Sequence, residues 1–335
     1  VTGPGAAAAR GQQGPGAHAP TRRWSPAALP RTRTQSWRRL TDGSLERLRP
    51  DYATRFTTAA SSISTAELYW ATPDMSALAM AAGASLPEVC FAHAYRPSAS
   101  GLLVWDGGIG QSLDVGSMFD TRGRTVDTAL GTVPERLSVR VPFDAVSWGP
   151  REGGMLLVGW VRWDRIEAAL PGRVPLPGGV AMPPLMPMQG WDLPADPVAH
   201  TATEIAEMID EPALLTVCLA MAAAWALMQQ PKLAERSRVD APKDDARRAR
   251  RDGRPEPAVT LIDLRRLYRP QVPDEEGGEG SARRYRYRWV VSGHWRNQAF
   301  GPARSLRRQT WIPSYVKGPD GAPLLETERV NVWRR

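Results

Sequence analysis

The chain has 335 residues, a net charge of +8, 42% hydrophobic residues and two cysteines. That length accommodates two domains and a sizeable core. Two thiols, Cys90 and Cys218, exclude a disulfide framework and read as buried, reduced cysteines. Pro (31) and Gly (30) are abundant enough to predict long loops or arms.

The charge is unevenly distributed. Val1–Leu40 carries seven Arg and no acid, and Ser281–Arg335 carries twelve Lys/Arg against three acids, so the middle is net negative. Residues 1–40 lack hydrophobic periodicity and read as a disordered basic arm. They hold no run of Leu, Val or Ile of the kind a secretory leader needs, so a cytoplasmic protein is expected.

From Ser44 the pattern becomes structured. Ser44–Leu48 begins a short helix stopped by Pro50, Asp51–Trp70 is weakly helical, and Pro73–Ala82 is a helix with Pro at its start and Gly83 behind it. Strands follow at Gly101–Asp106, Arg136–Val141 and Met155–Asp164. Pro171–Pro197, rich in Pro and Met, reads as an irregular loop.

Thr203–Gln230 is the clearest helix, with acids in its first turns, Pro212 marking a kink or a second start, and no charge over Ala213–Met228. That uncharged run is shorter than the roughly 20 apolar residues of a membrane span and is rich in Ala, so a buried core helix and no membrane partner are expected. Lys232–Pro257 reads as a charged linker, and Val259–Arg265 as a strand.

Arg284–Arg296 (RYRYRWVVSGHWR) alternates with period two: Arg284, Arg286, Arg288, His294 and Arg296 point one way, Tyr285, Tyr287, Trp289 and Trp295 the other. A basic loop with Arg304, Arg307 and Arg308 follows, then a returning strand over Thr310–Lys317 and another over Glu328–Arg335. Guanidinium forks suit phosphate oxygens, and exposed rings stack on unpaired bases. The candidate nucleic-acid-binding residues are therefore Arg284, Arg286, Arg288, His294, Trp295, Arg296, Arg304, Arg307, Arg308 and Lys317, with Trp295 stacking or packing and His294 orienting the loop.

No catalytic constellation, metal site or cofactor motif accompanies them. Cys90 and His93 have C-x-x-H spacing but no second ligand pair, and Gly107-Gly108-Ile109-Gly110 lacks the GK[ST] of a phosphate loop. A metal-dependent nuclease built from Asp106, Asp114, Asp120 and Asp164 near His294 is the enzymatic alternative, and an adaptor for an acidic protein partner is the third.

Five stretches carry a family resemblance: Ala94-Tyr95-Arg96 with Gly101–Asp106, Leu137–Ser147, Gly159–Asp164, Cys218–Gln230 before Pro231, and Gly293-His294-Trp295-Arg296. In these, over about Leu68–Lys317, the chain resembles the family of phage and mobile-element proteins that includes the type V-A anti-CRISPR protein of the second kind. The resemblance implies a non-enzymatic inhibitor acting on production of a CRISPR nuclease, at its message and nascent chain.

Together these readings predict an α+β protein. A basic arm (1–40) precedes an α+β domain (41–230) whose mixed sheet packs on the Ala-rich helix. A charged linker (231–258) and a small basic antiparallel β module (259–335) follow. The expected partner is nucleic acid, RNA ahead of DNA, or a ribonucleoprotein.

Overall fold

The computed structural model of the chain describes residues 24–48, 50–112, 127–128, 131–132, 141–169, 180–209, 212–251, 256–265 and 288–317. In chain order the helices are α1 (Leu29–Thr41), α2 (Ser44–Leu48), α3 (Ala53–Ser64), α4 (Pro73–Gly83), α5 (Trp163–Ala169), α6 (Ala202–Met208), α7 (Pro212–Met228) and α8 (Lys243–Arg251). The strands up to the sheet's last member are β1 (Glu67–Ala71), β2 (Glu88–Val89), β3 (Gly101–Ser112), β4 (Asp127–Thr128), β5 (Gly131–Thr132), β6 (Val141–Arg151), β7 (Gly154–Arg162), β8 (Leu185–Leu193), β9 (His200–Thr201), β10 (Ala234–Asp240) and β11 (Ala258–Leu264). The C-terminal strands are β12 (Trp289–Val291), β13 (His294–Phe300), β14 (Leu306–Ile312) and β15 (Tyr315–Lys317).

Seven strands form one mixed sheet in the order β10-β11-β1-β3-β6-β7-β8. β1 runs parallel to both β11 and β3, and the remaining neighbours are antiparallel. The fold is α+β, as expected.

Side-chain alternation along β6 assigns the layers. Ser147 and Trp148 are consecutive, so they point to opposite faces. Ser147 Oγ lies 2.8 Å from Ser62 Oγ of α3 and accepts the Trp160 indole N–H at 2.9 Å. The Trp148 ring meets Trp225 of α7 edge-on at 5.4 Å and stacks on Tyr69 at 5.6 Å. On β1, Trp70 turns the other way and packs on Trp24, just ahead of α1. Helices α1 and α3 therefore cover one face of the sheet and α4 and α7 the other. Strands covered on both faces are buried along their central residues, as β3 (Gly101–Trp105), β6 (Phe143–Gly149) and β7 (Met155–Val161) are.

Several elements depart from the sequence expectations. The basic arm contains a helix: α1 buries Leu29, Pro30, Ser36 and Leu40 against the sheet's first face, and Ser36 Oγ accepts the Leu185 N–H of β8 at 2.9 Å. Asp51–Trp70 divides into α3 and the strand β1. The Pro171–Pro197 loop contains β8, an edge strand that tolerates Pro187 at a register shift against β7. The charged linker holds β10 and α8, with β10 pairing along all of β11. Val259–Arg265, expected in the C-terminal module, lies in the main sheet as β11. Pro212 starts a second helix, and α7 is buried at Leu214, from Val217 to Trp225 and at Leu227 and Met228, with Thr216 exposed. Among the described residues no helix is long and apolar enough to cross a membrane.

One buried charge ties the sheet to α5. Asp144 on β6 is 1% exposed. It accepts two hydrogen bonds from Arg165 Nε (3.1 and 3.2 Å), one from Arg165 Nη2 (2.8 Å) and one from the Arg162 backbone N–H (2.8 Å). Removing one partner of such a pair strands the other, so Asp144→Asn should lower the unfolding free energy by about 3 kcal/mol, read from urea denaturation.

The thiols provide a second check. Burial pushes the Cys218 thiol up to about 12, against the Trp191 indole N–H that points at its sulfur from 2.8 Å. Burial also raises Cys90, half-buried beside the Asp196 carbonyl. A thiol reagent at neutral pH should label Cys90 slowly and Cys218 only after unfolding, as followed by mass spectrometry.

Candidate functional site

The C-terminal strands form one hairpin with an interrupted ladder. Val291 opposes Tyr315 and His294 opposes Ile312, so both strand pairs keep the same register. The interruption falls where Pro313, which has no N–H to donate, comes opposite Gly293. A side chain at Gly293 would put its Cβ 2.6 Å from the Trp311 ring, so this position admits only glycine without a shift of Trp311.

One face of β13–β14 docks on the body. Trp295 and Trp311 are cross-strand partners with ring centroids 5.3 Å apart, and Trp311 is buried. The Trp295 indole N–H donates to the Ala82 carbonyl at 2.8 Å, joining the Ser85 N–H and hydroxyl that also donate to it at the end of α4. The same face continues through the pairs Asn297–Gln309 and Ala299–Arg307. Trp295 therefore packs rather than standing free to stack.

The opposite face carries His294, Arg296 and Arg308, all exposed. His294 Nδ1 lies 3.1 Å from the Ser292 carbonyl, and the Arg308 guanidinium sits 5.2 Å from the centre of the Phe300 ring. At the tip, Gly301 (φ 77°), Ala303 (50°) and Arg304 (55°) are left-handed. The two non-glycine residues are held in a costly conformation, and Arg304 is exposed. Arg296, Arg304, Arg307 and Arg308 form no ion pair with a carboxylate among the described residues. Arg288 and Lys317 sit at the hairpin base, half-buried and already engaged in interactions. Arg284 and Arg286 lie outside the described residues.

A groove of about 460 Å³ runs between the hairpin, the end of α7 and the segment 86–95. Tyr95 (44% exposed) and Phe300 (36%) line it, together with Asn297, Arg307, Arg308, Gln309, Gln229 and one acid, Glu88. Gln229 Nε2 donates to the Tyr95 carbonyl at 2.9 Å and holds that segment against α7. Trp225 also lines the groove, and its indole N–H has no acceptor among the described residues. Beside Tyr95, Arg96 is half-buried with Nε and Nη1 unpartnered, and burial lowers its pKa.

The enzymatic alternative gains no geometry. Among the described residues no three His, Cys, Asp or Glu side chains come together as metal ligands. Asp164 pairs with Arg162, and Asp114 and Asp120 lie outside the described residues.

Residues 194–316 match the AcrVA2-like family, anti-CRISPR type V subtype A2. The matched stretch runs from just ahead of β9 through α6, α7, β10, α8 and β11 and along nearly the whole hairpin. It contains Cys218–Gln230 and Gly293-His294-Trp295-Arg296, and leaves the resembling motifs before Asp164 outside. No curated protein matches the chain.

The groove is the part that sequence reading missed. Tyr95 was visible only as part of a family motif, and Asn297, Phe300 and Gln309 carry no charge signal.

Docking through Trp295 is testable. Trp295→Ala should destabilise the protein by about 3 kcal/mol and speed amide exchange in both the hairpin and the end of α4. Trp295→Phe, which keeps a ring but loses the N–H donor, should cost about 1 kcal/mol. Equal stability of all three proteins in urea would contradict the docking.

Proposed function

We propose that the chain is a non-enzymatic anti-CRISPR-like inhibitor that engages nucleic acid or a ribonucleoprotein through its basic hairpin. The family match over 194–316 supports an anti-CRISPR-like protein. In this reading the target is RNA, or the RNA-bearing surface of a type V CRISPR effector.

The observation that carries the reading is the state of the arginines. Arg296, Arg304, Arg307 and Arg308 are exposed and lack carboxylate partners among the described residues. An arginine tied to a carboxylate is unavailable to a polyanion without exchange, whereas these four present free donors. Four cations on one short hairpin make a local positive potential that steers and holds phosphate. Arg308 stacked on Phe300 keeps its planar fork ordered, which reduces the entropy lost on binding. The tight left-handed tip carries Arg304 exposed between the two strands.

Each neutralised phosphate releases counterion, so four contacts to a single strand give a slope of log K against log salt of roughly −3. We expect that slope for a single-stranded RNA probe, and a slope near zero with strongly reduced affinity when the four arginines are replaced by alanine. Affinity and slope unchanged in the quadruple variant would overturn the assignment. Binding that tracks an acidic protein and ignores RNA would favour the adaptor reading.

A further inference from the structure

Resting on the hairpin reading, we infer that the groove beside the hairpin is a nucleotide site: it takes unpaired bases of a single strand whose phosphates run along the arginines. Three kinds of group converge there, each matched to one part of a nucleotide. Tyr95 offers an exposed ring, which suits the face of a base, and Phe300, with Arg308 over its ring, lines the groove's edge. Asn297 and Gln309 are direct cross-strand partners on the groove side of the hairpin. The Asn297 and Gln309 side-chain amides make no hydrogen bond among the described residues, so both keep a donor and an acceptor for a base edge. Arg307 lies on that same face one pair further along, next to Arg308 and the tip, and suits a phosphate.

The balance of charge agrees. Glu88 is the one acid in the lining, against Arg307 and Arg308. A volume of about 460 Å³ lies within the range of about 300–1,000 Å³ for sites that enclose small ligands. A paired duplex has its bases stacked and their pairing edges occupied, and it presents neither face nor edge to such a groove. The groove therefore adds to the hairpin what arginines alone cannot supply, a preference for single strands over duplex at equal phosphate count.

The test uses the full chain and three probes in fluorescence anisotropy: a short single-stranded RNA, an abasic oligomer with the same number of phosphates, and the corresponding duplex. The single strand should bind roughly tenfold more tightly than the abasic oligomer and more tightly than the duplex. Tyr95→Ala should erase that difference and leave abasic binding unchanged, while Tyr95→Phe should retain it. Asn297→Ala with Gln309→Ala should weaken the single strand and spare the abasic oligomer. Equal binding of base-bearing and abasic probes, lost on replacing the four arginines, would overturn the groove and keep the hairpin. No binding of any probe would overturn both. Tyr95-dependent binding of an acidic peptide without any binding of RNA would make the groove a protein-docking site and overturn the inference.

Discussion

The proposed binding surface depends on one packing arrangement, the indole pair Trp295–Trp311 resting on the end of α4, with β14 against α7. A two-stranded hairpin is marginal by itself, and most side chains of this one are polar. Its order comes from what it touches. The Trp295 N–H donates to the Ala82 carbonyl at the end of α4, and the Trp311 ring fills the space that Gly293 vacates. Docking one face of the ribbon determines the other: because alternate residues point oppositely, burying Trp295 and Trp311 forces His294, Arg296 and Arg308 outward. The Gly293-His294-Trp295-Arg296 signature thus reads as one structural device. Glycine makes room, tryptophan anchors, and the flanking His and Arg are exposed as a consequence.

The base on which the hairpin rests is equally constrained. Helix α7 carries no charge and is buried from Val217 to Trp225, with Trp225 against Trp148 of the sheet and Phe91 of the neighbouring segment. Burial around most of its circumference is what an uncharged helix of this length requires in water. α7 also supplies one wall of the groove, through Ala222, Trp225, Ala226 and Gln229. A rigid helix wall facing a docked ribbon is a better frame for positioning ligand groups than two loops would be. The family match runs from the approach to α7 to the end of the hairpin, so it coincides with the elements that build this frame.

Much of the fold was legible because its strongest signals are those that burial imposes: the apolar runs of β3 and β7, the Pro–Gly bounds of α4, the chargeless α7. The misread elements are those whose order comes from backbone pairing or from a narrow contact stripe. β10 (AERSRVD) buries only Ala234 outright, and it is a strand because every residue from 234 to 240 pairs with β11. Charged side chains on such an edge protect it from further pairing while giving it the composition of a linker. α1 buries Leu29, Ser36 and Leu40 and surrounds them with Arg, Thr and Gln, so its contact face is too thin to register as a hydrophobic period. β8 hides behind Pro187, which the edge of a sheet accepts and its centre would not. On the hairpin, period two identified the correct facing of Trp295 and Arg296, but the groove arises from four separated stretches of chain and has no local pattern to read.

Among the described residues, the fold separates the arginines of α1 from those of the hairpin. α1 lies on the face of the sheet marked by Ser147 and Trp70, whereas the hairpin docks on the α4–α7 face. Between them stand the sheet and helix layers, each roughly 10 Å thick, so the solvent path from one set to the other exceeds the Debye length of about 8 Å at physiological salt. The α1 arginines are also partly engaged at home: Arg33 donates to the Ala66 carbonyl and Arg39 to Asp42. A strand bound along the hairpin therefore feels the hairpin's own charges and little of α1. This makes the proposed interface small, and a small interface that relied on charge alone would be indifferent to sequence and strandedness. Specificity then has to come from the uncharged groups set beside the arginines, which is why the rings and amides of the groove matter more than further positive charge would.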